Sequence, residues 1–360
     1  MLYDNYLLIN GREISINMPA YFIADVASNH DGDLSRAQEL IWLAKDARAD
    51  AVKFQHFKAN KIVSDYGFKN LGKKLSHQSS WQKTVYEIYE QYECNRDWNE
   101  ELVKTAIEAD IDFMTTPYDF EAVEMFNQYT SAYKIGSGDI TWTDLIEYIA
   151  QQKKPVILST GASNMEDVER AVESIILNNR QIALLQCNTN YTGCPDNFSN
   201  VNLRVLLSYS LKYPNMILGL SDHTPGFATV LGAITLGARI IEKHFTDDNN
   251  RVGPDHSFSL NPVMWREMVE RSKELEQALG DGIKRVESNE HDSIIVQRRS
   301  LRLVRDMQEG EILSKNDLEV LRPAPKESLP PYMIEQVIGR SIVKRKIAGE
   351  ALFLSDLREE

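Results

Sequence analysis

Eight short apolar runs, each ending in polar residues, recur between Tyr21 and Thr246, and they constrain this chain more than any other feature. In order they are YFIADVASN from Tyr21, AVKFQHF from Ala51, FMTTPY from Phe113, YKIGSGD from Tyr133, VILSTG from Val156, IALLQCNTNY from Ile182, MILGLSDHT from Met216 and IIEKHFT from Ile240. Between them lie stretches such as LSRAQELIWLAKDA, NEELVKTAIEAD and EDVERAVESIIL. Their apolar residues recur at three- and four-residue spacing, as one buried helical face requires. Short buried strands alternating with helices imply parallel pairing through right-handed crossovers. Eight such units over about 250 residues predict an α/β chain folded as a (β/α)8 TIM barrel. The rival, a doubly wound open sheet, lacks support because no G-x-G-x-x-G follows the first run.

In such barrels the active site lies at the C-terminal strand ends. Here Asn29 and His30 follow the first run, Lys53 and Gln55 sit on the second, and Thr115 and Thr116 end the third. Lys134, Ser137 and Asp139 belong to the fourth, Ser159 and Thr160 to the fifth, and Asn188, Thr189, Asn190 and Tyr191 to the sixth. Ser221, Asp222 and His223 close the seventh, with Glu242, Lys243 and His244 on the eighth. Strand ends that reach water become polar in any protein, but this does not account for lysines inside apolar strands. A buried lysine is costly without an anion beside it. Lys53 and Lys134 therefore call for an anionic ligand or nearby carboxylates.

Acidic residues outnumber basic ones 53 to 40, a net charge of −13, whereas nucleic-acid binding rests on a basic face. An anionic small substrate stays compatible, because a few lysines inside one pocket dominate the local field. No apolar run approaches the ~20 residues of a membrane span, and MLYDNYLLINGREIS lacks the features of a secretory signal. The expectation is a cytoplasmic protein with neither nucleic-acid nor membrane partners. Cys94, Cys187 and Cys194 fit neither a disulfide framework nor a thiolate zinc site, and are read as reduced thiols.

At 360 residues the chain suggests one large domain and a smaller one. After the helix NPVMWREMVERSKELEQALG, the polar GDGIKRVESNEHDS reads as a linker, with Gly280 and Gly282 at the helix stop. The division expected is a barrel over 1–282, a linker over 283–297 and a small domain over 298–360. Within the last, QEGEILSKNDLEVLRP and IAGEALFLSDL share G-E, a gap and D-L, which suggests a pseudo-symmetric module of short strands and turns. RPAPKESLPP carries Arg322 on a proline-stiffened loop, either as plain linker or as a side chain presented to a neighbouring surface.

His223 and His244 end the last two runs, which are neighbours in a closed barrel. Two imidazoles at one mouth suit a divalent transition metal, with oxygen donors and water completing its shell. A metal beside lysines and hydroxyls suits a phosphorylated anion reacting with a carbonyl partner.

The markers SNHDGDL, AVKFQHF, TTPYD, YKIGSGD, ILSTGAS, GLSDHTPG, EKHFTDD and GPDHSFSL occur in this order, and with them the chain resembles the sialic acid synthases. These enzymes condense phosphoenolpyruvate (PEP) with N-acetylmannosamine, on a barrel followed by a small antifreeze-like (SAF) domain. The resemblance covers essentially the whole chain. It implies His223 and His244 as ligands of Mn2+ or Mg2+. It implies Lys53, Thr116, Lys134, Ser137, Ser159 and Ser221 as PEP-binding, with a further position at Thr189 or Asn190. Gln55, Tyr191 and Asp255 match positions on the sugar side. Arg322 matches an arginine that the SAF domain donates across a domain-swapped homodimer. In the implied mechanism the metal polarises the sugar aldehyde, PEP attacks it, water adds, and phosphate leaves by C–O cleavage. Asp25 and Asp139, with Lys53 and Lys134, are the implied catalytic groups.

Two departures bear on the acceptor. Asp25 and Asp139 stand where the family commonly has glutamate, which withdraws each carboxylate by over ~1 Å. RPAPKES stands where the family tends to read R-P-G-T-G. A PEP-dependent aldol synthase acting on a phosphorylated or other deoxy-amino sugar is the neighbouring alternative. A non-catalytic carbohydrate-binding protein is the alternative of another class.

Overall fold

The computed structural model describes residues 2–73 and 76–358. The chain divides into two compact units, Met1–Gly280 and Asp281–Glu360.

The first unit opens with an antiparallel hairpin, β1 (Tyr6–Ile9) and β2 (Arg12–Ser15). Eight parallel strands follow: β3 (Tyr21–Asp25), β4 (Ala51–His56), β5 (Asp112–Pro117), β6 (Tyr133–Ile135), β7 (Val156–Ser159), β8 (Ile182–Cys187), β9 (Ile217–Asp222) and β10 (Ile240–His244). They close into a barrel in chain order, with β10 returning to pair with β3. Each strand coincides with one of the eight apolar runs, β5 starting one residue ahead of its run at Asp112, so the TIM-barrel expectation holds. Helices between them show local start signals. The Asp33 carboxylate caps Leu34–Asp46 by accepting the Ser35 and Arg36 N–H groups, and Asn164 with Asp167 forms a capping box on Met165–Ile176. Val168, Ala171, Val172 and Ile175 of that second helix are buried at three- and four-residue spacing.

The period-2 alternation of a strand decides what fills the barrel. Ile23, Ala51, Met114, Ala132, Ile157, Ala183, Leu185, Ile217 and Ile240 form one inner apolar cluster, joined from below by Leu7, Ile9 and Ile14 of the hairpin. The hairpin was not foreseen, and its alternating burial makes it the plug of the barrel floor. Two residues further along each strand, or on β9 two beyond the intervening Gly219, the same inward face carries Asp25, Lys53, Thr116, Lys134, Ser159, Cys187, Ser221 and Glu242, which line one cleft. The barrel is thus apolar low and polar high, by alternation alone. Between strands and helices a second, larger apolar cluster forms around Phe22, Val52, Phe54, Leu158, Leu184 and Trp265.

In the second unit β11 (Ser300–Leu303) pairs antiparallel with β12 (Leu318–Leu321). Its own core gathers Leu301, Leu303, Met307, Leu313, Leu352 and Leu357. The echoed D-L pairs have one structural cause. Asp317 accepts the Ser314 N–H at 2.9 Å and Asp356 accepts the Phe353 N–H at 2.9 Å, each closing a short helical turn ahead of a leucine. Residues 283–297, read as a linker, contain the helix His291–Gln297 and group with this second unit.

Gly219 faces inward on β9 between its registered neighbours Leu185 and Ile240. A Cβ there would lie 2.3 Å from the Ile240 carbonyl oxygen and 2.9 Å from Leu185 Cγ. Backbone in a closed barrel yields little, so Gly219→Ala is expected to cost about 3 kcal/mol, measured as a lowered denaturation midpoint; an unchanged midpoint would contradict this packing.

Candidate active site

Four charged side chains, each no more than 4% exposed, occupy the polar layer: Asp25, Lys53, Lys134 and Glu242. Strand register places them. Asp25 lies opposite Lys53 across β3 and β4, and Glu242 lies opposite Ser221 across β10 and β9. Lys53 Nζ donates to Asp25 Oδ2 at 2.8 Å and to Thr116 Oγ1 at 2.9 Å. Lys134 Nζ stands 3.1 Å from Glu242 Oε1, which also accepts the Ser221 hydroxyl at 2.9 Å. Lys53 lies 3.8 Å from the other Glu242 oxygen, so the two pairs form one lattice. Burial pushes the Asp25 carboxyl up, but the Lys53 and His244 side chains outweigh it and hold the group at about 2. Burial likewise opposes ionisation of Glu242, and Lys134 with Lys53 reverses that. Asp25, Lys53 and Glu242 stay charged because they are together.

Hydroxyls surround the lattice. Ser159 Oγ is buried without a hydrogen-bond partner, and Ser137 Oγ accepts the Gly161 N–H at 2.9 Å, which leaves its own proton to donate. With two ammonium groups close by, this layer is a donor-rich cradle of about 40 Å³. An anion that takes both lysines must compete with Asp25 and Glu242.

His223 and His244 stand at the rim with ring centroids 5.2 Å apart. His223 Nδ1 donates to the Asn188 carbonyl at 2.9 Å, so in the neutral ring Nε2 carries the lone pair, while burial opposes protonation and the contacts with Cys187 and Asn188 outweigh it, raising the pKa of the ring. His244 Nδ1 is buried without a partner, while its Nε2 is 3.7 Å from Asp25 Oδ2. Burial lowers the His244 pKa, favouring the neutral ring that can ligate. Among the described residues no cluster of three or more His, Cys, Asp or Glu is arranged to hold a metal. Two imidazoles at one rim would give an ion two nitrogen ligands, and water or substrate would have to supply the rest of its shell.

A second cavity of about 360 Å³ adjoins the cradle through Gln55, Tyr118, Gly136, Ser137, Tyr191 and His244, which line both. Gln55 Nε2 donates to Asp25 Oδ2 at 2.8 Å. Tyr191 stacks obliquely on His223, with centroids 4.3 Å apart. Asp255 accepts the Ser28 N–H at 3.1 Å. Asp139 lines the same cavity, and burial pushes its carboxyl up to about 6. The two aspartates therefore differ sharply: Asp25 is held ionised by a lysine, whereas among the described residues no such partner offsets the desolvation of Asp139.

Comparison with known proteins fits this geometry. The model of the NeuB family matches residues 40–284, more than half of the chain, and the SAF domain model matches 298–358. The chain belongs to the NeuB family. An N,N'-diacetyllegionaminic acid synthase of Campylobacter jejuni is 36% identical, covering 89% of this chain and 95% of that protein. Human N-acetylneuraminate-9-phosphate synthase is 31% identical, covering 93% and 92%. Among solved structures, the spore coat polysaccharide biosynthesis protein spsE of Bacillus subtilis is 30% identical, covers 99% of each chain and has a TM-score of 0.64. The N-acetylneuraminic acid synthetase of Leptospira borgpetersenii is 28% identical, covers 80% of this chain and 95% of that one, and has a TM-score of 0.70.

In this NeuB-family chain the structure gathers Asp25, Lys53, Gln55, Thr116, Lys134, Ser137, Ser159, Tyr191, Ser221, His223 and His244 around the cradle, with Asp139 and Asp255 in the adjoining cavity. Thr189 and Asn190 are not among the lining residues. Asn190 Oδ1 instead accepts the Thr192 N–H at 3.1 Å and hydroxyl at 2.7 Å, closing a local turn. Arg322 is exposed on a loop of the second unit. Asp222, which alternation turns away from the mouth, accepts from Lys243, Thr224 and Thr229 in the outer layer. Sequence reasoning noted Glu242 and Cys187 but gave them no place in the site. The inward parity of β8 and β10 was the available signal. Tyr118 closes the third apolar run and shared the strand-end signal, whereas Trp81 and Tyr89 carry no local signal, because only the folded loops bring them to the cavity.

Asp139 keeps its proton in the folded chain up to about pH 6, against an ordinary value of 3.8. Between these values the folded state binds more protons than the unfolded one, so this group's contribution to stability falls as pH rises through the window. Asp139→Asn is expected to gain stability relative to wild type from pH ~4 to ~6, measured by denaturation at each pH. A constant difference would show that the carboxyl is not desolvated.

Proposed function

We propose that this chain is a PEP-condensing nonulosonic acid synthase, joining PEP and water to the aldehyde of an N-acylated amino sugar, with N-acetylmannosamine as the reference acceptor. The observation that carries this reading is the buried pair of lysines with Ser159, Ser137 and Ser221 beside them, a cradle suited to an anion carrying both carboxylate and phosphate. The legionaminic and neuraminate synthases among the relatives support the same reaction class.

The reaction balances as follows. PEP C3 bonds to the aldehyde carbon, whose oxygen takes a proton; water adds at PEP C2 and loses one proton; the C2–O bond to phosphate then breaks as the new C2 hydroxyl gives its remaining proton to the departing phosphate, leaving a ketone. Lys53 with Thr116, and Lys134 with the serines, hold the two anionic ends and stabilise charge on the departing phosphate. We assign to Asp139, whose proton is retained up to about pH 6, the protonation of the aldehyde oxygen. To Asp25, held ionised beside Lys53, we assign the proton of the attacking water. A divalent ion on His223 and His244, with Mn2+ or Mg2+ proposed, would supply Lewis acidity toward the aldehyde. Gln55, Tyr191 and Asp255 orient the sugar in the adjoining cavity. We further propose a homodimer in which Arg322 reaches the acceptor of the partner's site.

The full chain incubated with PEP, N-acetylated amino sugars and Mn2+ is expected to release phosphate and form a keto acid identifiable by mass. Exhaustive chelation is expected to abolish turnover and Mn2+ to restore it, and Lys134→Ala to lower kcat/KM about 100- to 1,000-fold. Phosphate release untouched by either change would remove the proposed chemistry. For the dimer, co-expressed Arg322→Ala and Lys134→Ala chains are expected to recover activity that neither variant has alone. Failure to complement, or full activity in a monomer by light scattering, would exclude action in trans.

A further inference from the structure

The connection after β10 leaves the barrel and returns to it, and the excursion carries two residues of the site. The Leu260 N–H donates to the His244 carbonyl at 2.9 Å and the Thr246 N–H to the Leu260 carbonyl at 3.1 Å, so both ends of the excursion stand on β10. Between them Asp255 reaches the cavity that adjoins the cradle. Phe258 packs on His244 and His223, with ring centroids 5.0 and 6.1 Å away. No strand runs through this stretch, so alternation does not set either position.

The loop after β3 holds it instead. Arg36, which is buried, donates to Asp247 through both terminal nitrogens, Nη1 at 2.7 Å, and through Nε to the Asn29 carbonyl at 2.7 Å. Asn29 Nδ2 in turn donates to the Phe245 carbonyl and to Ser259 Oγ, both at 2.9 Å. These contacts pin the two ends of the excursion. Its middle rests on His256, which is fully buried. His256 Nε2 donates to Asp31 Oδ1 at 3.0 Å, and Nδ1 lies 2.7 Å from Thr246 Oγ1. Gly253 crosses over this ring: a Cβ there would stand 2.6 Å from His256 Cδ2 and 3.0 Å from Nε2. In the facing loop, Ala27 and Asp31 keep φ at +45° and +53°, a left-handed conformation that non-glycine residues hold only where their surroundings impose it. Ser28, between them, is the residue whose N–H meets Asp255.

We infer that His256 is a positioning residue for the acceptor half of the site: held between Asp31 and Thr246, it fixes the turn that aims Asp255 into the cavity and sets Phe258 against the two imidazoles. This deepens the proposed function, and rests on it for the sugar's place beside Asp255. His256 lines neither cavity, so its effect passes through the backbone of residues 255–258.

Three variants of the full chain test this role. His256→Ala removes both contacts of the ring, Gly253→Ala drives a methyl group into it, and His256→Gln can place an amide nitrogen near the position of Nε2. Hydrogen exchange over residues 247–259 reads the turn without any substrate. Phosphate release with PEP, Mn2+ and N-acetylmannosamine, or whichever N-acylated amino sugar the wild type turns over fastest, gives KM for the sugar. Calorimetric titration gives PEP binding. For His256→Ala and Gly253→Ala, exchange over 247–259 is expected to quicken. Sugar KM is expected to rise about 10-fold or more, the scale of one hydrogen bond to a charged group, with PEP binding within about 2-fold of wild type. His256→Gln is expected to recover most of both losses. An unchanged sugar KM overturns the inference, as does PEP binding that weakens as much as the sugar's, or a Gln variant no better than Ala. If the wild type releases no phosphate with any N-acylated amino sugar, the proposed function falls. Exchange then decides the role of His256 by itself, and protection over 247–259 unmoved by His256→Ala and Gly253→Ala would reject it.

Discussion

Two lysines closed inside a barrel are tolerable only with carboxylates beside them, and the rest of this site is arranged around that requirement. Removing one partner from such a buried pair typically costs ~3–5 kcal/mol, because the other charge stays behind without water. Lys53 with Asp25 and Lys134 with Glu242 meet the requirement inside one polar layer, linked through the Lys53–Glu242 approach. The same lattice supplies chemistry. It holds the charge on the Lys53 ammonium for an incoming anion and keeps Asp25 ionised in a place where burial alone would neutralise it.

The polar layer exists because the layers beneath it are apolar. Ile23 precedes Asp25, Ala51 precedes Lys53, Ala132 precedes Lys134 and Ile240 precedes Glu242, each by two residues on one inward face. Below them the hairpin of β1 and β2 closes the floor with Leu7, Ile9 and Ile14. Water is thus kept from the underside of the charges, and the mouth is the one direction from which the alternation leads a ligand to them. The outward parity is used as well. Lys243 and Asp222 lie opposite each other in register, and pair in the layer between strands and helices.

Much of this was legible beforehand. The eight runs located every barrel strand, and residues two apart on a strand had to share a face, which put Ser221 with His223 and turned Asp222 away. The hairpin was not legible, because a four-residue strand with two buried positions carries too weak a pattern. Glu242 stood in plain view on the last run, but its role depends on which strands become neighbours. Thr189 and Asn190 were beyond strand logic altogether: they lie past the end of β8, where a turn closed by Asn190 and Thr192 sets direction instead of alternation.

By itself, the sequence determined the barrel, the parity of its strands and the family, because short-range periodicity is written in consecutive residues. Tertiary structure alone decided which charges pair, how far Asp25 and Asp139 are driven apart in acidity, and what lines the acceptor cavity. Those depend on distances between residues such as Lys134 and Glu242, or Tyr89 and Asp139, far apart along the chain. Coulomb interaction and desolvation act through space, and only closure of the barrel and folding of the connection after β4 set that space.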